Sequence, residues 1–401
     1  MLMHNRCSDT PASQRRPFRQ SRQNYFTISA YLCSCQPRQH PAFPLCGWRR
    51  WPTGKDFCHL PPACRKFRIR LLSLLCMTCD PHYFADHIDE AIGSVDLAGF
   101  TKLHSGKVRE TFARDDVCVI VTSDRQSAFD RILTTIPFKG QILNRISAFW
   151  FDRTREIIPN HLVAVPDPAA SVVKEATVFP VEMIVRGYMT GSTDTSVWMN
   201  YQNGVREYCG VRLPEGMHKN EPFPAPIITP TTKPTSGHDE LISPDEIIRR
   251  GLMIAEEWDV VSAAALEIFL HGQQHAAKQG LILVDTKFEF GRDAKSGEIM
   301  LVDEVLTPDS SRYWMAESYE QRIAASDEPQ SFDKEFLRLW YQQRCDPYHD
   351  DELPTAPHEL RAKLASIYAE AYERITGEAF VPEPGGVARI QKNLDSYFAS
   401  Q

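Results

Sequence analysis

The chain has 401 residues, a length typical of two or three domains, and 42% hydrophobic and 24% charged residues, as in globular proteins. Its formal net charge of −7 excludes a general electrostatic attraction to nucleic acid. No apolar run approaches the roughly 20 residues of a membrane-spanning helix. These properties favour a soluble globular protein.

Residues 1–80 differ in composition from the rest of the chain. They contain thirteen Arg or Lys and three Asp, a net charge of +10, so the remaining residues carry −17. Eight of the eleven cysteines also lie in this segment, which shows no sustained helical or strand periodicity. We therefore expect a basic, cysteine-rich extension that is disordered or not native to the protein.

Four interpretations of this extension are open. Its arginines and few acidic residues are typical of an organelle transit peptide. Cys76 and Cys79 have the CxxC spacing of a zinc module, although no second pair matches them, and the positive charge suits a nucleic-acid-binding arm. The fourth is a start codon placed too far upstream, with Met77 a better start. We favour the fourth, with the transit peptide second, and expect a cytoplasmic enzyme whose other cysteines are reduced.

The body begins with a helix predicted over residues 83–95 and continues with strands on both sides of Ser105-Gly106-Lys107. Gly106 would let the backbone approach a phosphate, and Lys107 would supply a point charge. A plain hairpin turn is the simpler interpretation, because no Walker A motif is present.

A buried strand over residues 115–125 leads into the polar segment SDRQSAFDR, residues 123–131. Loops at strand ends are where sites are usually built, and the polar residues of this one are Asp124, Arg125, Ser127, Asp130 and Arg131. The alternative is a turn that caps the next helix, predicted over residues 142–158.

Residues 179–192 are predicted as a strand followed by a loop that holds Arg186, Gly191 and Ser192. This combination suits an anion such as phosphate, and it suits a structural turn equally well. A short helix follows. Residues 213–243 are rich in proline and are predicted as an extended loop, which is often functional when it is this long. Its polar residues are Lys219, Thr231, Lys233, His238, Asp239 and Glu240.

One helix is predicted over residues 243–280. Ser243, Pro244 and Glu246 have the pattern of a helix start, and Gly280 that of a helix end. Beyond the strands that follow, two amphipathic helices are predicted over residues 332–344 and 358–378, and the tail after about residue 380 is predicted to be weakly structured.

The most informative segment is LILVDTKFEFG with the following IMLVDEV, which predicts a hairpin over residues 281–304. Because side chains alternate between the two faces of a strand, three charged residues lie on one face and two aromatic rings on the other. The charges are Asp285, Lys287 and Glu289, the rings are Phe288 and Phe290, and the return strand reaches Asp303 and Glu304. Carboxylates meeting near a lysine are unfavourable unless they hold a cation, and magnesium carrying nucleotide phosphates suits them. An ordinary solvated strand face is the alternative.

Taken together, these segments resemble the phosphoribosylaminoimidazole-succinocarboxamide synthase (SAICAR synthetase) family, in its larger single-function form. The resemblance covers about residues 98–380 in the family's order. It rests on GKVRETF, SDRQSAFD, PVEMIVRGYMTGS, FPAPIITPTTK, HDE, LILVDTKFEFG and VDEVLTPDSSRYW. Residues 1–80 have no counterpart in it.

The resemblance implies an α+β fold of two β-rich lobes with ATP in the cleft between them, loosely similar to kinases and ATP-grasp enzymes, with helices at the C-terminus. The implied divisions are the extension 1–80, an N-terminal lobe 81–183, a central lobe 184–320 and a helical segment 321–401. It implies ligation of L-aspartate to the carboxylate of carboxyaminoimidazole ribotide (CAIR), driven by ATP and Mg²⁺. The expected partners are these small molecules, without nucleic acid or membrane, in a monomer or small homo-oligomer.

The resemblance also implies roles for individual residues. Glu289 and Asp303 should hold Mg²⁺–ATP, with Asp285 a weaker third, and Lys287 should sit at the reacting carboxylates. The ATP phosphates should face Gly106, Lys107 and Arg109, and adenine should meet the backbone at 182–184, which begins at Glu182. The expected substrate residues are Asp130, Arg186, Ser192, Asp239, Ser310 and Arg312.

Two other functions remain open at this stage. A small-molecule kinase of related fold is disfavoured because the HRD and DFG motifs are absent. A nucleic-acid or zinc-binding protein would depend on residues 1–80 alone.

Overall fold

A sheet centred on one long strand carries most of the polar residues of interest. The structure, a computed structural model, describes residues 80–129, 131–193, 195–233, 240–332 and 335–401. The helices are α1 (Pro81–Ala85), α2 (Lys139–Thr154), α3 (Val197–Gln202), α4 (Pro244–Arg249), α5 (Ala255–Lys278), α6 (Ala316–Ala324), α7 (Glu335–Gln342), α8 (His358–Thr376) and α9 (Gly386–Ala399).

Within these described ranges, the strands form two large antiparallel sheets and two small ones. They are β1 (Thr101–Ser105), β2 (Arg109–Arg114), β3 (Val117–Thr122), β4 (Arg125–Ala128), β5 (Arg131–Thr135), β6 (Leu162–Asp167), β7 (Ala170–Val173), β8 (Ala176–Val178), β9 (Val181–Met189), β10 (Glu207–Tyr208), β11 (Val211–Arg212), β12 (Glu221–Ile228), β13 (Thr231–Thr232), β14 (Leu281–Asp293), β15 (Ile299–Val302) and β16 (Ser311–Met315). The first sheet has the order β1-β2-β3-β7-β6, and β4 pairs with β5.

The second sheet has the order β12-β9-β14-β15, with β13 on β9 and with β8 and β16 on β14. Strand β14 and β15 form the predicted hairpin, in which Glu289 lies opposite Val302. Phe288 and Phe290 are buried in the main core, which also contains Ile268 and Phe269 of α5. The predicted division of β14 into a charged face and an aromatic face is therefore confirmed.

Two predicted helices are shorter or divided. The helix predicted over residues 83–95 is only α1 followed by a 3₁₀ turn at Ile88–Glu90. Beyond it the chain is extended, and the Ile92 amide donates to the side chain of Asp124 at 2.8 Å. The helix predicted over 243–280 is α4 and α5, because Gly251 has a φ of +69° and a new start forms where Glu257 accepts from the Ile254 amide.

Two predicted loops contain strands. Residues 123–131 include β4, which forms a hairpin with β5. The proline-rich segment 213–243 contains β12 and β13, both paired with β9. Pro222, Pro224 and Pro226 occupy alternate positions of β12, so their missing N–H groups fall on one edge, and β12 lies at the end of the sheet. Proline is tolerated in an edge strand for this reason.

The tail after residue 380 is not weakly structured, since it contains helix α9. Ile390 and Leu394 are fully buried with Phe112 in the core of the five-stranded sheet. Arg389 binds Asp167, the buried end of β6, through Nε at 2.9 Å and Nη2 at 3.1 Å. Helix α9 therefore closes one face of that sheet.

Among the described residues, no helix combines the length and the apolar composition needed to cross a membrane. The domain boundaries given above stay predictions.

Shortening one buried side chain of α9 tests whether this helix stabilises the fold. We expect Leu394→Ala to lower the free energy of unfolding by about 2–5 kcal/mol, because it leaves a cavity in the core. Lys392→Ala, on the exposed side of the same helix, should change it by no more than about 0.5 kcal/mol. Urea denaturation followed by circular dichroism measures both, and equal effects would contradict the docking of α9.

Candidate active site

The candidate site lies where β9 and β14 run side by side. Lys287 pairs with Ile184 in the register of these strands, and Asp285 pairs with Arg186. The amide of Lys287 also donates to the Ser310 carbonyl at 2.9 Å, which brings the segment before β16 to the same place. Residues from three distant parts of the sequence thus meet at one sheet surface.

A lysine–glutamate cluster, made of Glu182, Lys233, Lys287 and Glu289, occupies this surface. The Lys287 ammonium lies 2.6 Å from Glu182 Oε1 and 3.4 Å from Glu289 Oε1. Lys233 binds the other oxygen of Glu289. Both carboxylates are buried, at 7% and 6% exposure. Burial by itself would lower the pKa of Lys287, but the attraction of the two glutamates outweighs it and raises this pKa above its ordinary value.

An arginine–carboxylate cluster lies beside it. Arg109, at the start of β2, has Nη1 at 3.1 Å from Asp303 Oδ1 and Nη2 at 2.8 Å from Glu304 Oε2. Asp303 has a φ of +64°, a left-handed conformation that Asp and Asn adopt more readily than most residues. Asp303 also contributes to the raised pKa of Lys287, so charges of the two clusters interact with each other.

The carboxylates of this surface suit a hard cation that also binds phosphate oxygens. They do not suit a metal ion held by protein side chains alone. Within the described residues, no group of three or more His, Cys, Asp or Glu side chains is arranged to hold a metal ion. Magnesium, however, is usually bound by one or two carboxylates together with phosphate and water oxygens. Glu289 and Asp303 supply two such carboxylates, since Glu289 lies opposite Val302, the neighbour of Asp303. These residues fit the predicted ion.

Two neighbouring cavities lie on this side of the sheet, and the smaller of them adjoins Lys287. One of about 250 Å³ is lined by Arg186, Asp285, Lys287, Ser310 and Arg312, among others. The other, of about 640 Å³, shares both arginines. It adds the loop after β9, and its polar lining includes Gly191, Ser192, Thr193, Ser196 and Lys219. The structure thus combines a cationic recess with the lysine–glutamate cluster.

The carboxylate of Asp285 lies between the two arginines. Its Oδ2 atom is 3.6 Å from Arg186 Nη1 and 3.6 Å from Arg312 Nη2. This oxygen is buried and has no hydrogen-bond partner in the described part of the chain. The resemblance implied that Asp285 is a weaker third residue for Mg²⁺–ATP, which stays a prediction. In the structure Asp285 lines the smaller cavity and has the two arginines as its ion-pair partners.

The predicted phosphate turn connects β1 and β2. The Gly106 amide donates to the Arg109 carbonyl at 2.8 Å, which closes the turn. Gly106 and Lys107 line an open depression of about 520 Å³ together with Arg125 and Arg131. The predicted strands on both sides of this turn are confirmed.

The structure brings most of the predicted site residues together. Asp130 and Asp239, as well as His238, lie outside the described residues. The predicted adenine contact at 182–184 is not favoured, because β9 has β13 on one side and β14 on the other, so its backbone is engaged in the sheet. Glu182 instead takes part through its side chain.

Several polar residues that the sequence did not single out belong to the site. Lys233 binds Glu289, although it was visible only as one polar residue of the proline-rich segment. His161 lies close to Arg109 and Asp303, and burial lowers its pKa to about 4, so it is neutral near pH 7. Lys139 is fully buried and binds Asp309 at 2.6 Å. No local sequence pattern marks these contacts, because each joins distant segments.

Comparison with known proteins defines the family. The family model for SAICAR synthetase matches residues 102–354. A phosphoribosylaminoimidazole-succinocarboxamide synthase from Legionella pneumophila is 54% identical over 301 residues, which cover 74% of this chain and 96% of that protein. SAICAR synthase from Saccharomyces cerevisiae complexed with SAICAR is similar in structure, with a TM-score of 0.62 and 33% identity, over 73% of this chain and all of that one.

A structure of SAICAR synthetase (type 2) in complex with ADP has a TM-score of 0.53 and 26% identity, over 70% of this chain and 99% of that one. The fold and the site therefore define an ATP-dependent carbon–nitrogen ligase of purine biosynthesis. The chain belongs to the SAICAR synthetase family. The kinase alternative loses its support, and the alternative based on residues 1–80 lies outside the described residues.

Removing the lysine of the lysine–glutamate cluster tests its electrostatic role. We expect Lys287→Met to lower the free energy of unfolding by about 1–3 kcal/mol, because Glu182 and Glu289 lose a partner while they stay buried. Urea denaturation near neutral pH measures it.

The double variant Lys287→Met/Glu182→Gln serves as the control, since it removes one of the stranded charges. It should recover part of the lost stability. A loss that is not recovered would mean that Lys287 contributes by packing rather than by charge.

Proposed function

We propose that the chain joins L-aspartate to the carboxylate of CAIR, giving SAICAR, ADP and phosphate, by way of an acyl phosphate. The observation that carries this proposal is the position of Lys287. Its ammonium contacts two buried glutamates, and it also lines the cavity that Arg186 and Arg312 make cationic. A carboxylate substrate in this cavity would therefore meet a fixed positive charge next to the predicted nucleotide side.

The chemistry explains why such a charge is useful. A carboxylate does not react with an amine at neutral pH, because oxide is a poor leaving group. In the proposed route, a carboxylate oxygen of CAIR attacks the γ-phosphorus of ATP, and ADP leaves. The aspartate amine then attacks the acyl carbon, the bond to the phosphate-bearing oxygen breaks, phosphate leaves, and the amine gives up a proton. The protein positions the reactants and offsets their negative charges.

The substrate end of the site is assigned to the two cavities. Arg186 and Arg312 suit the ribotide phosphate, together with Ser192 on the loop after β9, and Arg186 is oriented by a 2.8 Å hydrogen bond to Thr229. Ser310 lies at the junction with Lys287. We assign the partnerless oxygen of Asp285 to the substrate amine, which needs a hydrogen-bond or proton acceptor. Asp130 and Asp239 stay predicted substrate contacts.

The nucleotide end is assigned to the other side of Lys287. Gly106, Lys107 and Arg109 would face the ATP phosphates, with Arg109 already held by Asp303. Glu289 and Asp303 would hold Mg²⁺, which when bound neutralises phosphate charge. Homo-oligomeric state, absence of nucleic acid and cytoplasmic location stay predictions.

Labelled CAIR tests both the overall reaction and the intermediate. We expect multiple-turnover release of ADP to require both CAIR and L-aspartate, with SAICAR formed in equal amount. When the CAIR carboxylate carries ¹⁸O, one labelled oxygen should appear in the released phosphate, because that oxygen bridges carbon and phosphorus in the acyl phosphate. Mass spectrometry of the phosphate measures this. Unlabelled phosphate would exclude the intermediate, and continuous ADP release without aspartate would exclude the ligase reaction.

Neutralising Asp303 tests the predicted metal carboxylate. We expect Asp303→Asn to lower kcat by at least about 100-fold, because a developing phosphate charge loses its support. The fold should stay intact, since Asp303 is partly exposed and Asn also tolerates a positive φ. Steady-state kinetics and thermal unfolding measure the two effects.

Asp395→Asn is the matched control, because Asp395 pairs with Arg114 at 3.3 Å on the outer side of α9. It should leave kcat unchanged. Full activity of Asp303→Asn would show that Asp303 does not hold the metal.

A further inference from the structure

The turn between β1 and β2 is held by one buried arginine. Arg125, at the start of β4, is only 6% exposed. Its guanidinium donates to the carbonyl oxygens of Gly93, Gly106 and Lys107, each at 2.9 Å. The same guanidinium binds Glu110 Oε1 at 2.6 Å, and Glu110 is itself 2% exposed. One planar group thus joins the turn, β2 and the segment before β1.

A neighbouring serine completes this arrangement. The amide and the hydroxyl of Ser123 both donate to the Val108 carbonyl, at 2.9 and 2.8 Å. Three consecutive carbonyl oxygens of the turn, at positions 106, 107 and 108, are therefore bound by donors from residues 123–125. A carbonyl oxygen carries partial negative charge and would repel a phosphate. Because these three carbonyl oxygens accept hydrogen bonds from the β4 side, the peptide units on both sides of Lys107 have a fixed orientation.

We propose that Arg125 is a positioning residue for the nucleotide phosphates, acting through the Gly106–Lys107 turn. This inference rests on the proposed function, in which that turn faces ATP. Arginine suits the task because its rigid fork of donors serves several acceptors in one plane, whereas a lysine ammonium is a point charge on a flexible stem. The arrangement orders the turn before the nucleotide arrives, so less conformational freedom is lost on binding.

The variants must separate positioning from simple stability. Replacing Arg125 alone by an apolar residue would leave Glu110 buried without its partner, which can unfold the protein. Arg125→Lys keeps a positive charge beside Glu110 but cannot serve all three carbonyls. Arg125→Met/Glu110→Gln removes both charges together. We expect each variant to raise the KM for ATP about tenfold and to leave the KM values for CAIR and aspartate unchanged.

Two further variants serve as references. Lys107→Ala reports whether the turn meets the nucleotide at all. Arg389→Lys changes another largely enclosed arginine, which binds the fully buried Asp167 through two nitrogens at the β6 edge of the five-stranded sheet. The KM of Arg389→Lys for ATP should equal that of the unaltered protein. Two further measurements do not depend on turnover. Isothermal titration calorimetry measures the affinity for ADP, and hydrogen exchange without nucleotide measures the protection of the peptide containing residues 105–109.

The outcomes are distinguishable. Weaker ADP binding and faster exchange at residues 105–109 in both Arg125 variants, with normal behaviour of Arg389→Lys, would support the proposal. If Lys107→Ala weakens ATP and ADP binding but the Arg125 variants do not, the positioning role is excluded while the proposed function stands. If Lys107→Ala changes neither, the turn does not bind phosphates, and the assignment of the turn fails together with the inference.

Discussion

The pairing of Lys287 with Glu182 and Glu289 is the interaction on which the rest of the site depends. Two carboxylates are buried on adjacent strands, and each of them contacts a lysine ammonium, which offsets the cost of burying its charge. The attraction of the two glutamates outweighs burial and raises the pKa of Lys287, so this side chain stays charged. A site that must handle a carboxylate and a triphosphate needs such fixed charges, since they need no reorganisation during the reaction.

Strand β14 makes this pairing possible because it is long enough to serve several purposes at once. Its aromatic side chains are buried in the main core, while the alternate positions point charges to the other side. It pairs with β9, β8, β15 and β16, so it connects the lysine–glutamate cluster to the residues that line the smaller cavity. A change of register by one residue would exchange the two faces, and the buried rings make such a change unfavourable.

The features that could be predicted from the sequence are those set by short-range periodicity. The hairpin of β14 and β15 follows from alternating residues and a polar turn, and so do the strands on both sides of Gly106. The helix α9 was hidden by Pro382, Pro384 and a glycine pair, and β12 by its prolines. Both elements form because neighbouring segments bury or pair them, which local patterns do not reveal.

The pairs that build the site could not be predicted from the residues alone, for the same physical reason. Arg109 and Asp303 are 194 positions apart in sequence, and Lys233 and Glu289 are 56 apart. Family resemblance pointed to several of these residues individually. It did not show that Arg109 binds Asp303, or that Asp285 faces the arginines, because such contacts depend on how the sheets are brought together.

The docking of α9 has a consequence for how the molecule forms during synthesis. The five-stranded sheet spans residues 101–173, yet Ile390 and Leu394 fill its core and Arg389 neutralises the buried Asp167. Helix α9 begins more than 200 residues after the last strand of this sheet, so the ribosome synthesises all five strands long before the helix that covers them. One apolar face of the sheet therefore stays uncovered until α9 has been made, because the contact between them has a high sequence separation. Such an exposed face is a surface that chaperones would bind.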